Sequence, residues 1–341
     1  MSDPLRPRVG RYATNHRVLS AIGCAAACVL MLIPSTIVPT PRVRSVLPWP
    51  PGSAIAGLEA RAATAERIMH QAEIAVRSAK MQSGIASEAG ADPSGLIGGE
   101  LTPLVTTLGS LEAKRTATNP LWAAVLTRQM SEAGIGPGDV IAAGFSGSFP
   151  GLNLAVMAAA RALDADLIAV SSVTASTWGA NQPGFTWPEI ECRLVASGIL
   201  PRASIAVTTG GDGDAGRDLE PEAQRLAASI RDTSARRLGA AALQPADFRD
   251  AVRQRLSAYR RAANGRPVAL YVNVGGTAAS LGQTGAVLHL KSGFIRPLPF
   301  DRSDNRGVMA RFAEQGVPVL TLLNIRDLAI RWGIPLTGPA Q

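Results

Sequence analysis

Apolar positions change their period along this chain, and the changes mark out its elements. Between 54 and 81, Ile55, Leu58, Ala62, Ala65, Ile68, Met69, Ala72, Ala75, Val76 and Ala79 recur at helical spacing, which predicts a long amphipathic helix over 53–83. A loop of small residues follows at 84–99. Beyond it, short apolar runs at 140–143, 167–173, 204–208, 268–274 and 317–323 alternate with helical patterns at 120–133, 151–163, 187–198, 219–236, 246–263 and 304–315. Runs without a polar alternate face belong to strands covered on both sides, and strands joined by helical crossovers lie parallel. The prediction for 95–341 is therefore an α/β fold, a mostly parallel sheet with helices on both faces. Within the second of these helical patterns, the segment 152–163 is apolar nearly all round, which predicts a deeply buried helix. Helix starts carry their own marks. Asn119 with Pro120 reads as an N-cap and first-turn proline, Thr186 with Glu189 as a capping box, and Asp218 as a cap for the helix holding Pro221.

The first part of the chain has a different pattern. Residues 18–38 contain no charge, and 21 residues rising 1.5 Å each span a hydrocarbon core of about 30 Å. Four arginines precede this run, and only Arg42 and Arg44 follow closely. That bias predicts a single-pass anchor in the cytoplasmic membrane, with a basic tail (1–17) inside and the body outside. A cleaved signal peptide is the competing reading. It needs a shorter apolar region ending in a small-x-small site, whereas this run ends at Ile37-Val-Pro-Thr40. Five prolines between 39 and 52 make a semi-rigid extended linker.

Composition then removes some functions. Net charge is +8, but residues 1–44 hold six arginines against Asp3 alone, so most of the excess flanks the apolar segment. With aromatics at only 4%, neither a basic face nor a stacking platform for nucleic acid is indicated. Cys24 and Cys28 lie in the apolar run and leave Cys192 alone in the body, so no disulfide framework is present. His70 and His289 are too far apart in sequence to suggest a zinc motif, and no cofactor is implied.

In a sheet of this kind, ligands bind beyond the carboxyl ends of the strands. Four loops rich in Gly, Ser, Thr, Asn and Asp fall there, at 144–151, 171–185, 209–218 and 275–285. In the first, Ser146, Gly147, Ser148 and Asn153 surround a strand-to-helix turn whose backbone N–H groups suit an anion. The same residues also serve a tight turn and its cap. Ser146 resembles the nucleophile of a Gly-x-Ser-x-Gly elbow, but Ser148 replaces the last glycine. His289 or Lys114 would have to act as its base. The segment containing Glu112, Lys114, Arg115 and Asn119 reads as an ordered loop that brings positive charge to the site, or as a salt-bridged surface. Ser172, Trp178 and Asn181 in the second loop, and Asn273, Gly275 and Gly276 in the last, are pocket candidates or turn formers. Asp212 and Asp214 suggest a cation but lack calcium-loop spacing and a closing glutamate.

Three stretches also carry a family likeness: 108–120, 143–153 and 171–187, the last with its Ser-Ser and Trp-Gly-Ala-Asn. Over roughly 95–325, and in the layout of its anchor, the chain resembles the membrane-anchored poly-γ-glutamate system proteins. That resemblance implies an accessory role beside the ligase and membrane subunits that make and export the polymer, and it supplies no mechanism. Four readings follow. The first loop, with Lys114 and Arg115, holds carboxylates of an anionic polymer or small anionic ligand. Alternatively, Ser146 serves a γ-glutamyl amide hydrolase or transferase, or the loop binds a phosphosugar. In the fourth, the 54–81 helix docks on membrane subunits and the protein is structural.

Overall fold

In the computed structural model, residues 52–85, 88–90, 92–283, 291–295 and 306–337 are described. The strands are β1 (Val105–Thr107), β2 (Val140–Phe145), β3 (Asp166–Ser172), β4 (Ala175–Ser176), β5 (Ser204–Thr208), β6 (Ala241–Ala242), β7 (Val268–Val274), β8 (Gly293–Ile295) and β9 (Val319–Leu322). Seven of them form one sheet in the order β6-β5-β3-β2-β7-β9-β8, parallel except for β8 against β9, while β1 and β4 pair separately. All six residues of β2 are buried. Its alternate side chains enter two cores, Ile141, Ala143 and Phe145 one way and Val140 and Ala142 the other. A strand covered on both faces has no polar positions to show, which is why the apolar runs predicted the central strands.

The helices are α1 (Gly52–Gln82), α2 (Leu111–Ala117), α3 (Leu121–Glu132), α4 (Pro150–Ala162), α5 (Trp187–Ala196), α6 (Pro221–Leu238), α7 (Phe248–Ala263), α8 (Ala278–Leu281), α9 (Val308–Glu314) and α10 (Ile325–Trp332). Helices α1, α3 and α4 share the first core with Ile141 and Phe145, whereas Phe248, Val252, Met309 and Phe312 of α7 and α9 pack on the other face. The helix predicted at 53–83 is thus a layer of the α/β body. Ala65, Met69, Ala72 and Val76 from its stripe are buried in the main core. Among the described residues no helix is long and apolar enough to cross a membrane. The predicted tail, the span at 18–38, the linker up to 51 and His289 lie outside the described residues.

Helix α4 is enclosed as predicted, with all its residues buried except Arg161. Its second residue, Gly151, presses on α2, and a Cβ there would sit 2.3 Å from the Ala117 carbonyl oxygen. Asn119 does cap α3, its side-chain oxygen accepting the Leu121 N–H at 3.0 Å. The Glu189 carboxylate accepts the Thr186 N–H at 3.0 Å. Asp218 does not cap α6, whose cap position is Glu220. The Asp218 carboxylate instead accepts the Asp212 N–H at 2.8 Å, closing the turn after β5. The segment expected to be a loop at 111–115 is helix α2, capped by the Ser110 hydroxyl.

The chain moves from β2 to β3 and β5 on one side, then crosses to place β7 on the other side of β2. The strand order therefore reverses between β2 and β7, and such a reversal opens a crevice at the carboxyl ends of the strands.

Candidate functional site

The crevice holds a cavity of about 440 Å³. All four polar loops reach it: Ser146, Ser148 and Phe149 after β2, Thr174 and Ser176 after β3, Gly211, Asp212 and Asp218 after β5, and Gly276, Thr277 and Ala278 after β7. Thr106 and Thr107 of β1, Leu108, Gly109, Lys114 of α2 and Leu323 complete the wall. The volume lies in the ordinary range for a small-ligand site.

Lys114 is the one basic side chain in the described wall, and it is 2% exposed. Its Nζ donates to the Ser148 carbonyl at 2.5 Å, lies 2.6 Å from Ser176 Oγ, and sits 3.9 Å from the centre of the Phe149 ring. Among the described residues no carboxylate pairs with it. Burial pushes the ammonium down to about 7 from an ordinary 10.5. Asp212 and Asp218 line the same cavity, so the wall carries both signs of charge.

Several predicted site residues build the wall from behind. The Asn153 Nδ2 donates to the Ser146 carbonyl at 2.9 Å and fixes the turn that presents Ser146 and Ser148. The Asn273 Nδ2 donates to the Gly275 carbonyl at 2.7 Å, and Gly275, at φ +80, abuts the Ser146 hydroxyl. Ser172 Oγ donates to the Phe145 carbonyl at 3.3 Å. Gly147 accepts the Ala180 N–H at 2.8 Å through its carbonyl, tying the first loop to the second. Asn181 clasps Gly99, accepting its N–H at 2.9 Å and donating to its carbonyl at 2.8 Å. The Trp178 backbone bonds the same 98–99 segment, and its side chain does not line the cavity.

Other candidates point elsewhere. Arg115 donates to the Ala89 carbonyl at 2.5 Å and, with Asn119, lines a second cavity of about 430 Å³ beneath α1. Glu112 forms a surface ion pair with Arg326 at 2.7 Å. Consecutive residues on a helix diverge by about 100°, so Lys114 and Arg115 cannot face one pocket. Asp214 is engaged by Arg255, with Nε to Oδ2 at 2.6 Å and Nη2 to Oδ1 at 2.7 Å, and it also accepts the Thr208 hydroxyl. Neither of its oxygens is left for a cation, and the described residues contain no His, Cys, Asp or Glu cluster placed to hold a metal. Cys192 is buried, and burial raises its thiol to about 11, which makes it unreactive.

Ser146 is 3% exposed and accepts the Ser148 N–H at 3.2 Å, but no described base contacts it. The group that does touch a base is Ser176, which the sequence reading passed over. It is one of five hydroxyl residues within 171–177, where nothing in the pattern tells one from another. Thr174, Asp218 and Thr277 were also missed as lining groups, being members of the right loops without a periodicity that would show which way each side chain turns. Comparison of the chain with known protein families, with curated proteins and with solved structures finds no match.

Proposed function

We propose that the switch-point cavity binds the amino-acid-like end of a γ-glutamyl chain. In this reading the protein is a membrane-anchored accessory of poly-γ-glutamate synthesis, export or processing, with its α/β body on the far side of the cytoplasmic membrane. The supporting observation is the mixed charge of one small cavity. A free chain end carries an α-carboxylate and an α-ammonium. The hydroxyls of Ser146 and Ser148, with the Lys114 amine nearby, suit the first, while Asp212 and Asp218 suit the second. One lysine against two aspartates makes a poor groove for the length of a polyanion, so recognition is assigned to a terminus. Arg115, which sequence analysis placed beside Lys114, has no part in it.

Calorimetric titration of the full chain tests the reading. A γ-glutamyl dipeptide should bind saturably, and its Nα-acetylated form should bind at least about tenfold more weakly, equivalent to about 1.4 kcal/mol. Asp212→Asn with Asp218→Asn should erase that preference. Tighter binding of a hexose phosphate than of any γ-glutamyl compound would remove this assignment in favour of the phosphosugar one.

A further inference from the structure

We infer that Ser176 and Lys114 form a nucleophile and base pair, and that the cavity cleaves or transfers acyl groups at an amide bond. Both groups line the cavity, and 2.6 Å separates Ser176 Oγ from Lys114 Nζ. That distance is within reach of direct proton transfer. The choice of a γ-glutamyl amide as substrate rests on the preceding reading, whereas the pair itself does not.

The surroundings of the pair fit this work. Lys114 sits among a carbonyl, a hydroxyl and a ring face, with no described carboxylate to hold its proton. Such an amine neutralises readily, and a neutral amine has one lone pair for the Ser176 proton while an N–H still donates to Ser148. Consistent with that placement, burial brings Lys114 to about 7, near the pH at which a base is needed. The Phe149 ring stabilises the ammonium once the proton has arrived. Ser176 is held from three sides. Its N–H donates to Ser148 Oγ at 3.0 Å, its carbonyl accepts the Gly179 N–H at 3.0 Å, and Asn181 Nδ2 reaches that carbonyl at 3.3 Å. A nucleophile needs this kind of fixed position. Gly109 completes the arrangement. A Cβ there would lie 3.0 Å from Ser176 Oγ and 3.1 Å from Lys114 Cε, so a side chain would crowd the space over the pair. A purely structural tie between α2 and the loops would be met by a methionine or glutamine without burying an amine.

The reaction balances with water as the second substrate. Ser176 Oγ attacks the amide carbon, its proton passing to Lys114 Nζ. The C–N bond then breaks, Lys114 protonates the leaving nitrogen, and an ester remains on Ser176. Water attacks that ester, gives a proton to Lys114, and the C–O bond to Ser176 breaks as Oγ takes the proton back. An amine in place of water makes the outcome a transfer.

The test is labelling of the full chain with a fluorophosphonate probe, followed by peptide mapping. The expected result is one adduct, on Ser176, forming at a rate that rises with pH through an inflection near 7. Lys114→Met and Lys114→Arg should each slow labelling by about 10²- to 10⁴-fold, the usual weight of a general base. An adduct on Ser146, no adduct, or a wild-type rate without that inflection would overturn the pair. The wild-type map and profile decide the matter even if the Lys114 variants do not fold. Binding of a γ-glutamyl dipeptide without labelling removes the pair and leaves the binding reading. Labelling of Ser176 with turnover only of amides lacking a γ-glutamyl group supports the pair and removes that substrate.

Discussion

Arg255 and Lys114 are both cations buried near the carboxyl ends of the strands, 1% and 2% exposed, and they are treated in opposite ways. Arg255 meets Asp214 through two short hydrogen bonds at the end of β5. Burial alone would weaken its hold on the proton, but the Asp214 charge and hydrogen bonds more than reverse that and lock the ion in place. Lys114 has no such partner among the described residues, and its charge is left negotiable. A matched buried pair is a structural part, whereas an unmatched buried amine beside a hydroxyl is a place for chemistry.

The contrast breaks most sharply at Asp214. Asp214→Ala should strand the Arg255 charge and cost about 3–5 kcal/mol in denaturant unfolding, with a smaller loss when Arg255→Met is added. Lys114→Met should do the reverse and raise stability at pH 7 by about 1 kcal/mol or more, because it removes an amine that folding desolvates without an ionic partner. A loss as large as that of Asp214→Ala would mean that Lys114 is a structural tie after all.

A third buried group sharpens the comparison through pH. Glu73, on the buried side of α1, is 5% exposed, and its Oε1 has no described hydrogen-bond partner. Burial, aided by Asp92, raises it to about 9 from 4.5. Folded protein therefore holds more protons than unfolded chain between 4.5 and 9 at Glu73, so its contribution falls as pH rises across that window. Lys114 works the other way, since the unfolded chain holds more protons between about 7 and 10.5, and stability rises with pH there. The two slopes oppose each other between 7 and 9. Glu73→Gln should flatten the decline below pH 7, by up to about 1.4 kcal/mol per pH unit, when urea midpoints are compared at pH 5 and 7. The smallest effect belongs to the N-cap of the Arg255 helix, where the Asp247 side chain accepts the Asp250 N–H at 2.8 Å. Asp247→Ala should cost about 1 kcal/mol and leave Ser176 labelling unchanged.

Much of the sheet was legible in sequence because strands buried on both faces cannot hide among polar positions. The two-residue pairings β4 and β6 were not, since they are made by register with a neighbour and carry no pattern of their own. Helix α2 spans under two turns, too short for a stripe, and this led Arg115 into the site with Lys114. Helix α10 was not predicted although Ile325, Leu328, Ala329 and Trp332 have helical spacing. The convergence of the four loops followed from topology. Which side chains turn inward did not, because a loop has no period, and this is why Ser176 was passed over while Asn181 and Trp178 were chosen.

The contact of Gly151 with the Ala117 carbonyl has a consequence for how this protein can vary over generations. The residue lies outside the cavity wall, yet it sets how closely the helix bearing Lys114 settles on the loop bearing Ser148. In a deep mutational scan, position 151 should tolerate no other amino acid, with activity lost before expression. Selection would then guard a missing methyl group as closely as it guards any reactive atom.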